Sequence, residues 1–283
     1  MREFRGRVAV VTGAGGGIGR ALACRLAAEG MDLALADIDA AALAETAEAA
    51  RAAGVAGVRV MTQAVDVGDE GSVAAFADRA FAELGAVHLL CNNAGVFMGG
   101  RMWTRPPADF EWTLRVNLWG ILHGVRAFVP RMIEQDADGH VVNTCSVAGL
   151  FVGPGAAPYT VSKWAAFAAT LSLAQELALD GTRLGVSALC PGGVTTRIHE
   201  SERVRPAALA TEPGEDSAFM NEMIATTVER GIPPREVADR VVDAVRERRF
   251  LVLTHPEYAP GLPAQAESLV AGRLPGMPDF EWG

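Results

Sequence analysis

The sequence predicts an α/β fold in which helices cover both faces of a doubly wound, seven-stranded parallel sheet. Short apolar runs alternate along the chain with longer, Ala-rich stretches of helical composition. Most of the apolar runs are nearly continuous rather than alternating, which is typical of parallel strands buried on both faces. The predicted strands are residues 7–12, 31–36, 58–64, 87–91, 140–145, 184–189 and 249–253, with helices between them such as 21–29, 40–53 and 72–84.

The domain organisation follows from length and from two segments that break the alternation. A chain of 283 residues fits one α/β domain, which we place at residues 1–255. Residues 197–230 lie between a strand and a helix and have mixed polarity, which predicts a lid over a binding pocket. Residues 256–283 are rich in Pro and Gly without a clear period, so we expect a C-terminal extension that packs on a neighbour or frays.

Composition excludes several classes of function. The net charge of −9 argues against nucleic acid as a partner, because phosphates require a basic face. No stretch reaches the roughly 18 apolar residues of a membrane span, and the N-terminus lacks the apolar run of a secretory signal. The four cysteines are far apart and form no CxxC pair, which favours a reduced cytoplasmic protein with neither a metal site nor disulfides.

A glycine-rich turn follows the first predicted strand and opens the first helix. It reads TGAGGGIG at residues 12–19. Glycines let the backbone approach a pyrophosphate, which then rests on the N-terminus of the helix. Its candidate cofactor-binding residues are Gly13, Gly16, Gly17, Ile18 and Gly19.

Asp37 ends the second predicted strand and indicates which dinucleotide is bound. A carboxylate there accepts hydrogen bonds from both ribose hydroxyls and repels a 2′-phosphate. Gly16 stands where a basic residue would accept that phosphate, so the sequence favours NAD over NADP. The alternative is that Asp37 and Asp39 only cap the following helix.

Two further strand ends carry candidate cofactor contacts. In open α/β sheets, ligands bind beyond the carboxyl ends of the strands, so several such ends face one crevice. The residues concerned are Asp66 and Val67 after the third strand, and Asn93, Ala94 and Gly95 after the fourth.

The catalytic candidates are Tyr159 and Lys163. Lys163 is the single lysine among the 25 Lys and Arg residues, and one of only two tyrosines lies four residues before it. Side chains with this spacing share a helix face, and a nearby ammonium lowers the pKa of a phenol towards the range of a useful base. Tyr159 is therefore predicted to exchange a proton with an alcohol or ketone. The alternative is an amphipathic helix with a tyrosine and a snorkelling lysine.

Ser146 and Asn117 complete the predicted catalytic group. Ser146 follows the fifth strand and is placed to hydrogen-bond the substrate oxygen, although a serine there also serves as a helix cap. Asn117 interrupts an apolar helical pattern. A buried asparagine needs hydrogen-bond partners, and a water relay towards Lys163 is one way to supply them.

The substrate pocket is predicted to be apolar. Phe97 and Phe151 lie just beyond the motifs, as do Met98, Leu150 and Val152, and the lid contributes further residues. With Ser146 and Tyr159 at the reacting oxygen, this favours a hydrophobic or aromatic secondary alcohol over a sugar or an acyl-carrier substrate. The alternative is that both phenylalanines belong to the core.

Together these motifs resemble the short-chain dehydrogenase/reductase family over about residues 5–253. The resemblance implies a Rossmann fold, a catalytic tetrad and an assembly, usually a homotetramer or else a homodimer, built on two long helices. It also implies that residues 191–196 hold the nicotinamide carboxamide. The tetrad is Asn117, Ser146, Tyr159 and Lys163; the implied cofactor contacts are Tyr159, Lys163, Pro191, Gly192, Val194 and Thr196.

The predicted function is therefore NAD-dependent hydride transfer between a hydrophobic secondary alcohol and its ketone. Residues 128–132 and 200–203 loosely resemble family members that oxidise benzylic alcohols of aryl ethers. The alternatives are a biosynthetic carbonyl reductase using NADH or NADPH and a non-catalytic NAD-binding regulator, which would typically have lost Tyr159, Lys163 or Ser146. A relative that eliminates halide would not need an intact dinucleotide turn.

Overall fold

Seven short strands pair in parallel, in the order β3-β2-β1-β4-β5-β6-β7, in the computed structural model, which describes residues 1–276. This confirms the predicted fold class. The first three strands wind outward from β1 and the last four wind the other way, so the sheet reverses between β1 and β4. The strands are β1 (Val8–Thr12), β2 (Asp32–Asp37), β3 (Val60–Ala64), β4 (Leu89–Asn92), β5 (Gly139–Thr144), β6 (Leu184–Cys190) and β7 (Leu251–Leu253).

The helices begin where capping residues or prolines allow. The Asp39 carboxylate accepts the Ala42 N–H at 3.0 Å, and Asp69 accepts that of Ser72 at 2.6 Å. No helix in residues 1–276 has the length and hydropathy to cross a membrane. The helices are α1 (Gly17–Ala28), α2 (Ala40–Ala53), α3 (Glu70–Leu84), α4 (Pro107–Leu114), α5 (Gly120–Glu134), α6 (Ala157–Leu179), α7 (Glu215–Glu229), α8 (Pro234–Glu247) and α9 (Gly261–Val270).

The core has a layer on each face of the sheet. Successive residues of β1 alternate between these layers, and all five are buried. Ala9 and Val11 pack with apolar residues of α1 and α8, whereas Val8 and Val10 pack with residues of α3, α5 and α6. Burial on both sides explains why this strand is continuously apolar in the sequence.

Element boundaries differ from the predicted ones by a few residues. The first helix begins at Gly17 rather than at residue 21, because the last glycines of the turn already take helical hydrogen bonds. Asn117, which interrupts the apolar pattern of the sequence, lies within a continuous helical backbone. Helices α4 and α5 are joined there by a π-helical segment, Arg115–Trp119, so the backbone continues through the asparagine.

Residues 256–276 of the extension that the sequence predicts to pack on a neighbour or to fray contain two helical segments, and packing on a neighbour stays a prediction. Pro256–Tyr258 forms a short 3₁₀ helix and α9 follows it. Tyr258 is 6% exposed, and its ring lies 6.1 Å from that of Phe151. The Gln265 side chain donates to the Leu150 carbonyl at 2.9 Å. Burial of one aromatic ring therefore folds this segment onto its own chain; residues 277–283 lie outside the described part.

Residues 198–217 are fastened to α4 by a buried ion cluster. Asp109, which is fully buried, accepts hydrogen bonds from Arg105 Nε at 2.5 Å, from Arg205 Nη2 at 2.5 Å and from Thr211 Oγ1 at 2.8 Å. Arg105 also donates to Ser217 Oγ at 3.3 Å, near the start of α7. The segment predicted as a lid is thereby held at three points along its length.

Candidate active site

The carboxyl ends of the strands open into a cleft of about 1610 Å³. Most of the predicted site residues line it. They are Gly13, Gly16, Gly17, Ile18, Asp37, Asp66, Val67, Asn93, Ala94, Gly95, Phe97, Ser146, Phe151, Tyr159, Lys163, Pro191, Gly192, Val194 and Thr196. Gly19 and Asn117 lie behind this wall, as do Met98 and Leu150, which pack in the core.

The glycine turn at the start of α1 needs glycine at two positions for different reasons. Gly13 has a φ of +63°, and a Cβ there would lie 2.7 Å from the Ala94 Cα. A Cβ on Gly19 would collide with the carbonyl oxygen of Gly13. Gly19 thus lets α1 pack closely on the turn, which leaves the N-terminus of the helix open to the cleft.

Asp37 is bound to the glycine turn. Its Oδ2 accepts the Gly15 N–H at 2.7 Å, and its Oδ1 accepts that of Asp39 at 2.9 Å. Asp39, not Asp37, caps α2, so the capping alternative applies to only one of the two residues. Arg20 lies nearby, but its guanidinium is paired with Glu45 at 2.9 Å. The half-buried Asp37 carboxylate therefore presents negative charge to this end of the cleft.

Asp66 is also held in place by neighbouring groups. Its Oδ2 accepts from Arg115 Nη2 at 2.8 Å, and its Oδ1 accepts the Gly68 N–H at 2.8 Å. Arg115 is the first residue of the π-helical segment and lines the cleft as well. Sequence reasoning identified Asp66 but missed Arg115, because their pairing joins residues 49 positions apart.

Asn93 fastens three strand ends together. Its Nδ2 donates to the Thr12 carbonyl at 3.1 Å, and its Oδ1 accepts from Thr144 Oγ1 at 3.3 Å. Thr12 Oγ1 accepts in turn from the Asn93 N–H at 3.0 Å. The ends of β1, β4 and β5 are thus fixed relative to one another, which gives the cleft a rigid floor.

Lys163 is buried beneath this floor, 2% exposed, with its Nζ donating to the Thr144 carbonyl at 2.9 Å. The same nitrogen lies 5.8 Å from the centre of the Tyr159 ring. Burial lowers the pKa of Lys163 to about 8, since the charged form loses its hydration. Sharing one face of α6, the two side chains confirm the proximity that the sequence predicted.

The half-buried Tyr159 faces the cleft, with the ring of Phe97 at 5.0 Å. Burial raises the pKa of Tyr159 to about 12, and a hydrogen bond with the Ser146 side chain opposes that rise. Ser146 also caps a short 3₁₀ helix, because its Oγ accepts the Ala148 N–H at 3.1 Å. The serine is therefore both a cap and a neighbour of the tyrosine hydroxyl.

The Asn117 side chain makes its hydrogen bonds with protein groups. Its Oδ1 accepts the Val96 N–H at 2.8 Å, and its Nδ2 donates to the Val96 carbonyl and to Ser162 Oγ, both at 2.9 Å. These protein groups supply the partners that a buried asparagine needs, and a water relay towards Lys163 stays a prediction. The Asn117 and Lys163 side chains are nevertheless neighbours. A Cβ added to Gly95 would lie 3.3 Å from Asn117 Oδ1 and 3.3 Å from Lys163 Nζ. A role for Asn117 in proton transfer stays a prediction.

Part of the cleft wall comes from the end of the chain after β7 and was not predicted from the sequence. His255, Glu257 and Tyr258 line the cleft. His255 comes two residues after β7 ends, so the rule that ligands bind beyond strand ends would have marked it. Apolar residues of α7 face the same region, namely Phe219, Met220, Met223 and Ile224. Within residues 1–276, no three His, Cys, Asp or Glu side chains are grouped so as to hold a metal ion.

Sequence comparison places this chain among enzymes of known class. The short chain dehydrogenase family model matches residues 7–206. The CLA biosynthesis dehydrogenase/reductase of Lactiplantibacillus plantarum is 32% identical over 282 residues, covering 98% of each chain. The 1-deoxy-11-beta-hydroxypentalenate dehydrogenase of Streptomyces avermitilis is 42% identical over 251 residues, covering 88% of this chain and 84% of that protein.

Solved structures share the whole architecture. A short chain dehydrogenase/reductase from Burkholderia phymatum, crystallised in complex with NAD, superposes with a TM-score of 0.94 at 41% identity, covering 99% of this chain and 100% of that one. The apo form of LigO from Sphingobium sp. strain SYK-6 gives a TM-score of 0.75 at 31% identity, covering 96% and 90% of the two chains.

Proposed function

The chain belongs to the short-chain dehydrogenase/reductase family, and from that premise we propose that it is an NAD-dependent oxidoreductase that interconverts a hydrophobic secondary alcohol, aryl or cyclic, and its ketone. One observation carries the proposal. A buried ammonium, Lys163, lies below the ring of Tyr159, whose hydroxyl bonds to Ser146 at the floor of an apolar cleft. This arrangement suits proton transfer to and from an alcohol oxygen.

The residues of the cleft fit a dinucleotide. The N-terminus of α1 has no side-chain cap and so offers its N–H groups to a pyrophosphate, and an added Cβ on Gly16 would meet nothing within 4 Å. We infer that the cofactor is NAD, because the Asp37 carboxylate would repel a 2′-phosphate and Arg20 is already paired with Glu45. The Burkholderia phymatum relative was crystallised with NAD, which supports the same choice.

The residues of this chain bind the substrate and transfer the proton of its hydroxyl group. NAD, when bound, supplies the acceptor for the hydride and a positive charge beside the phenol. Tyr159 takes the alcohol proton during oxidation and returns it during ketone reduction. Lys163, anchored on the Thr144 carbonyl, stabilises the phenolate electrostatically. Ser146 orients the substrate oxygen towards the Tyr159 hydroxyl. Asn117 fixes the loop at Val96 beside Lys163 and is the fourth member of this group.

The cleft favours an apolar substrate. Phe97 and Phe151 face it from one side, and Met220 and Met223 face it from α7. Such a lining offers few partners to a polyol, whose hydroxyl groups would each lose hydrogen bonds to water. We further propose that residues 197–230 act as the lid of a domain that spans 1–255.

Assembly and location are part of the same proposal. Three large apolar side chains of α6 are exposed, namely Val161, Trp164 and Leu171. Trp119 in the π-helical segment is exposed as well. We propose that this face joins copies of the chain into a dimer or tetramer, since contiguous exposed apolar surface is typical of interfaces. All four cysteines are free thiols, which favours a reducing, cytoplasmic setting.

The experiment that tests the function is an alcohol screen with NAD. Purified protein is given aryl, cyclic and polyol secondary alcohols, and NADH formation is followed by absorbance. We expect turnover of the aryl or cyclic alcohols and a loss of about 10²- to 10⁴-fold in Tyr159→Phe. Polyols turned over far better than aryl alcohols, or full activity in Tyr159→Phe, would contradict the proposal.

A further inference from the structure

His255 is a polar residue of the cleft wall that the proposed mechanism leaves unused, and it lies beside the aromatic residues Tyr258 and Phe151. Its ring lies close to the turn at Gly192, where an added Cβ would be 2.7 Å from Nδ1. It also meets the Tyr258 ring edge-on at 6.1 Å, and Tyr258 stacks on Phe151. The histidine therefore stands between the predicted nicotinamide end and the aromatic wall of the substrate end.

The hydrogen bonds of Thr254 settle which nitrogen of His255 carries the proton. Thr254 Oγ1 accepts the Gly192 N–H at 3.0 Å and lies 2.8 Å from His255 Nδ1. Thr254 is 1% exposed, so its hydroxyl hydrogen needs a protein acceptor rather than water. Among residues 1–276, His255 Nδ1 is the acceptor within reach. Nδ1 is thus unprotonated, and the neutral ring carries its hydrogen on Nε2.

The Nε2–H group is an accessible hydrogen-bond donor on a residue that lines the cleft. Within residues 1–276 Nε2 has no hydrogen-bond partner, and it is not among the buried unpaired atoms, so it is accessible. Burial lowers the pKa of His255, which keeps the ring neutral at neutral pH. A neutral donor among Phe151, Tyr258 and the methionines of α7 suits a neutral acceptor rather than a charged one.

We propose that His255 is a specificity determinant that donates from Nε2 to a second oxygen of the substrate, a carbonyl or ether oxygen apart from the reacting alcohol. The inference rests on the proposed function and narrows its substrate class. The apolar body of the substrate packs against Phe151 and Tyr258. The second oxygen meets the Nε2–H of His255, whose ring is held in place by a chain of hydrogen bonds from Gly192 through Thr254.

The test uses matched pairs of secondary alcohols in which an ether oxygen replaces one methylene at successive positions along the chain from the carbinol carbon. Wild-type protein is compared with His255→Phe, which keeps a ring but loses the donor, and with His255→Gln, whose amide nitrogen replaces Nε2. We expect wild-type protein to prefer the ether of at least one pair by about three- to tenfold in kcat/KM. The preference should vanish in His255→Phe and return in part in His255→Gln.

NADH affinity, measured by fluorescence, is the second readout and should be the same in all three proteins. Equal ether preference in wild type and His255→Phe would overturn the inference and leave the proposed function standing. A loss of NADH affinity in His255→Phe would overturn it too, because the ring would then support the Gly192 turn. If wild-type protein oxidised no alcohol with NAD, the proposed function would fail, and the inference with it.

Discussion

The carboxylate of Asp37 and the backbone of Gly15 are joined by a hydrogen bond of 2.7 Å from the Gly15 N–H to Oδ2. The bond connects the end of β2 to the turn before α1, so the charge that faces the nucleotide end is fixed by the fold. A Cβ on Gly15 would lie 2.9 Å from the same carboxylate. The turn and the carboxylate therefore depend on each other for their positions.

Replacing the negative charge of Asp37 by a positive charge in the glycine turn should change the preferred cofactor from NAD to NADP. Gly16 is exposed in extended backbone, and an added Cβ would meet nothing within 4 Å, so an arginine fits there. The double variant Asp37→Ala/Gly16→Arg should raise the ratio of kcat/KM for NADP over NAD by about a hundredfold, corresponding to the loss of a repulsion and the gain of a charge-assisted bond.

The matched control is Asp39→Ala. In this variant α2 loses its N-terminal cap, so the free energy of unfolding should fall by about 1 kcal/mol. The ratio of kcat/KM for the two cofactors should not change. An unchanged ratio in the double variant, with the protein folded, would show that Asp37 does not decide cofactor choice.

Lysine at 163 should not be replaceable by arginine. The site is buried and holds the ammonium on one carbonyl, that of Thr144, and a planar guanidinium does not replace this compact point charge. We expect kcat in Lys163→Arg to fall by about a hundredfold or more, since the phenolate of Tyr159 loses its close positive neighbour. Steady-state kinetics at saturating cofactor measure this. Lys163→Arg activity within a factor of a few of wild type would contradict an electrostatic role.

The ionisation of Tyr159 should depend on the oxidised cofactor. Burial raises its pKa to about 12 in the unliganded protein, and the Ser146 hydrogen bond only partly offsets this. Adding NAD brings a positive charge that favours the phenolate, so the pKa should fall by more than about one unit. Ultraviolet phenolate absorbance, titrated with and without NAD, measures the shift. Because the chain has two tyrosines, Tyr159→Phe isolates the signal; an identical NAD-dependent titration in that variant would refute the assignment.

The buried ion cluster should stabilise the lid. Burial alone would raise the pKa of Asp109, but hydrogen bonds from Arg205 and Arg105 outweigh it and hold that pKa below its ordinary value. Asp109→Asn leaves the buried Arg105 guanidinium without a carboxylate and leaves Arg205 with that of Glu202 alone, so the free energy of unfolding should fall by about 3 kcal/mol, and KM for the alcohol should rise. Denaturant unfolding and kinetics check both. In Glu48→Gln, which breaks an exposed pair with Arg51, the loss should stay below about 1 kcal/mol.

The pH dependence of that stability has a defined sign. A carboxyl group whose pKa is lower when folded stabilises the protein above its unfolded pKa and loses this effect as the pH falls through the folded value. The difference between wild type and Asp109→Asn should therefore persist at neutral and mildly acidic pH and shrink below about pH 4. A difference that grows with acidification would contradict the ion-cluster account.

The features that could be predicted from the sequence are those set by residues close together along the chain. The strands, the glycine turn and the Tyr159–Lys163 spacing are short-range features, because periodicity of 2 and 3.6 residues decides which side chains share a face. The doubly wound parallel sheet followed because parallel strands joined by helices have few allowed topologies.

Long-range pairings were not predictable in this way. Arg205 and Thr211 meet Asp109 across about a hundred positions, and Tyr258 reaches Phe151 across a similar span. A Pro- and Gly-rich segment shows no period even when a single buried ring fixes its course. Asn117 was found because it breaks an apolar pattern, but its partners on Val96 depend on tertiary contact.

The most direct test of the central claim is cofactor binding to the purified protein, with NADH and NADPH titrated separately and followed by nicotinamide fluorescence. The account predicts tight NADH binding and NADPH binding weaker by at least about tenfold, because Asp37 faces the ribose end of the cleft. A preference for NADPH would contradict the role given to Asp37 and favour a biosynthetic ketone reductase. Binding of neither nucleotide would contradict the oxidoreductase assignment itself.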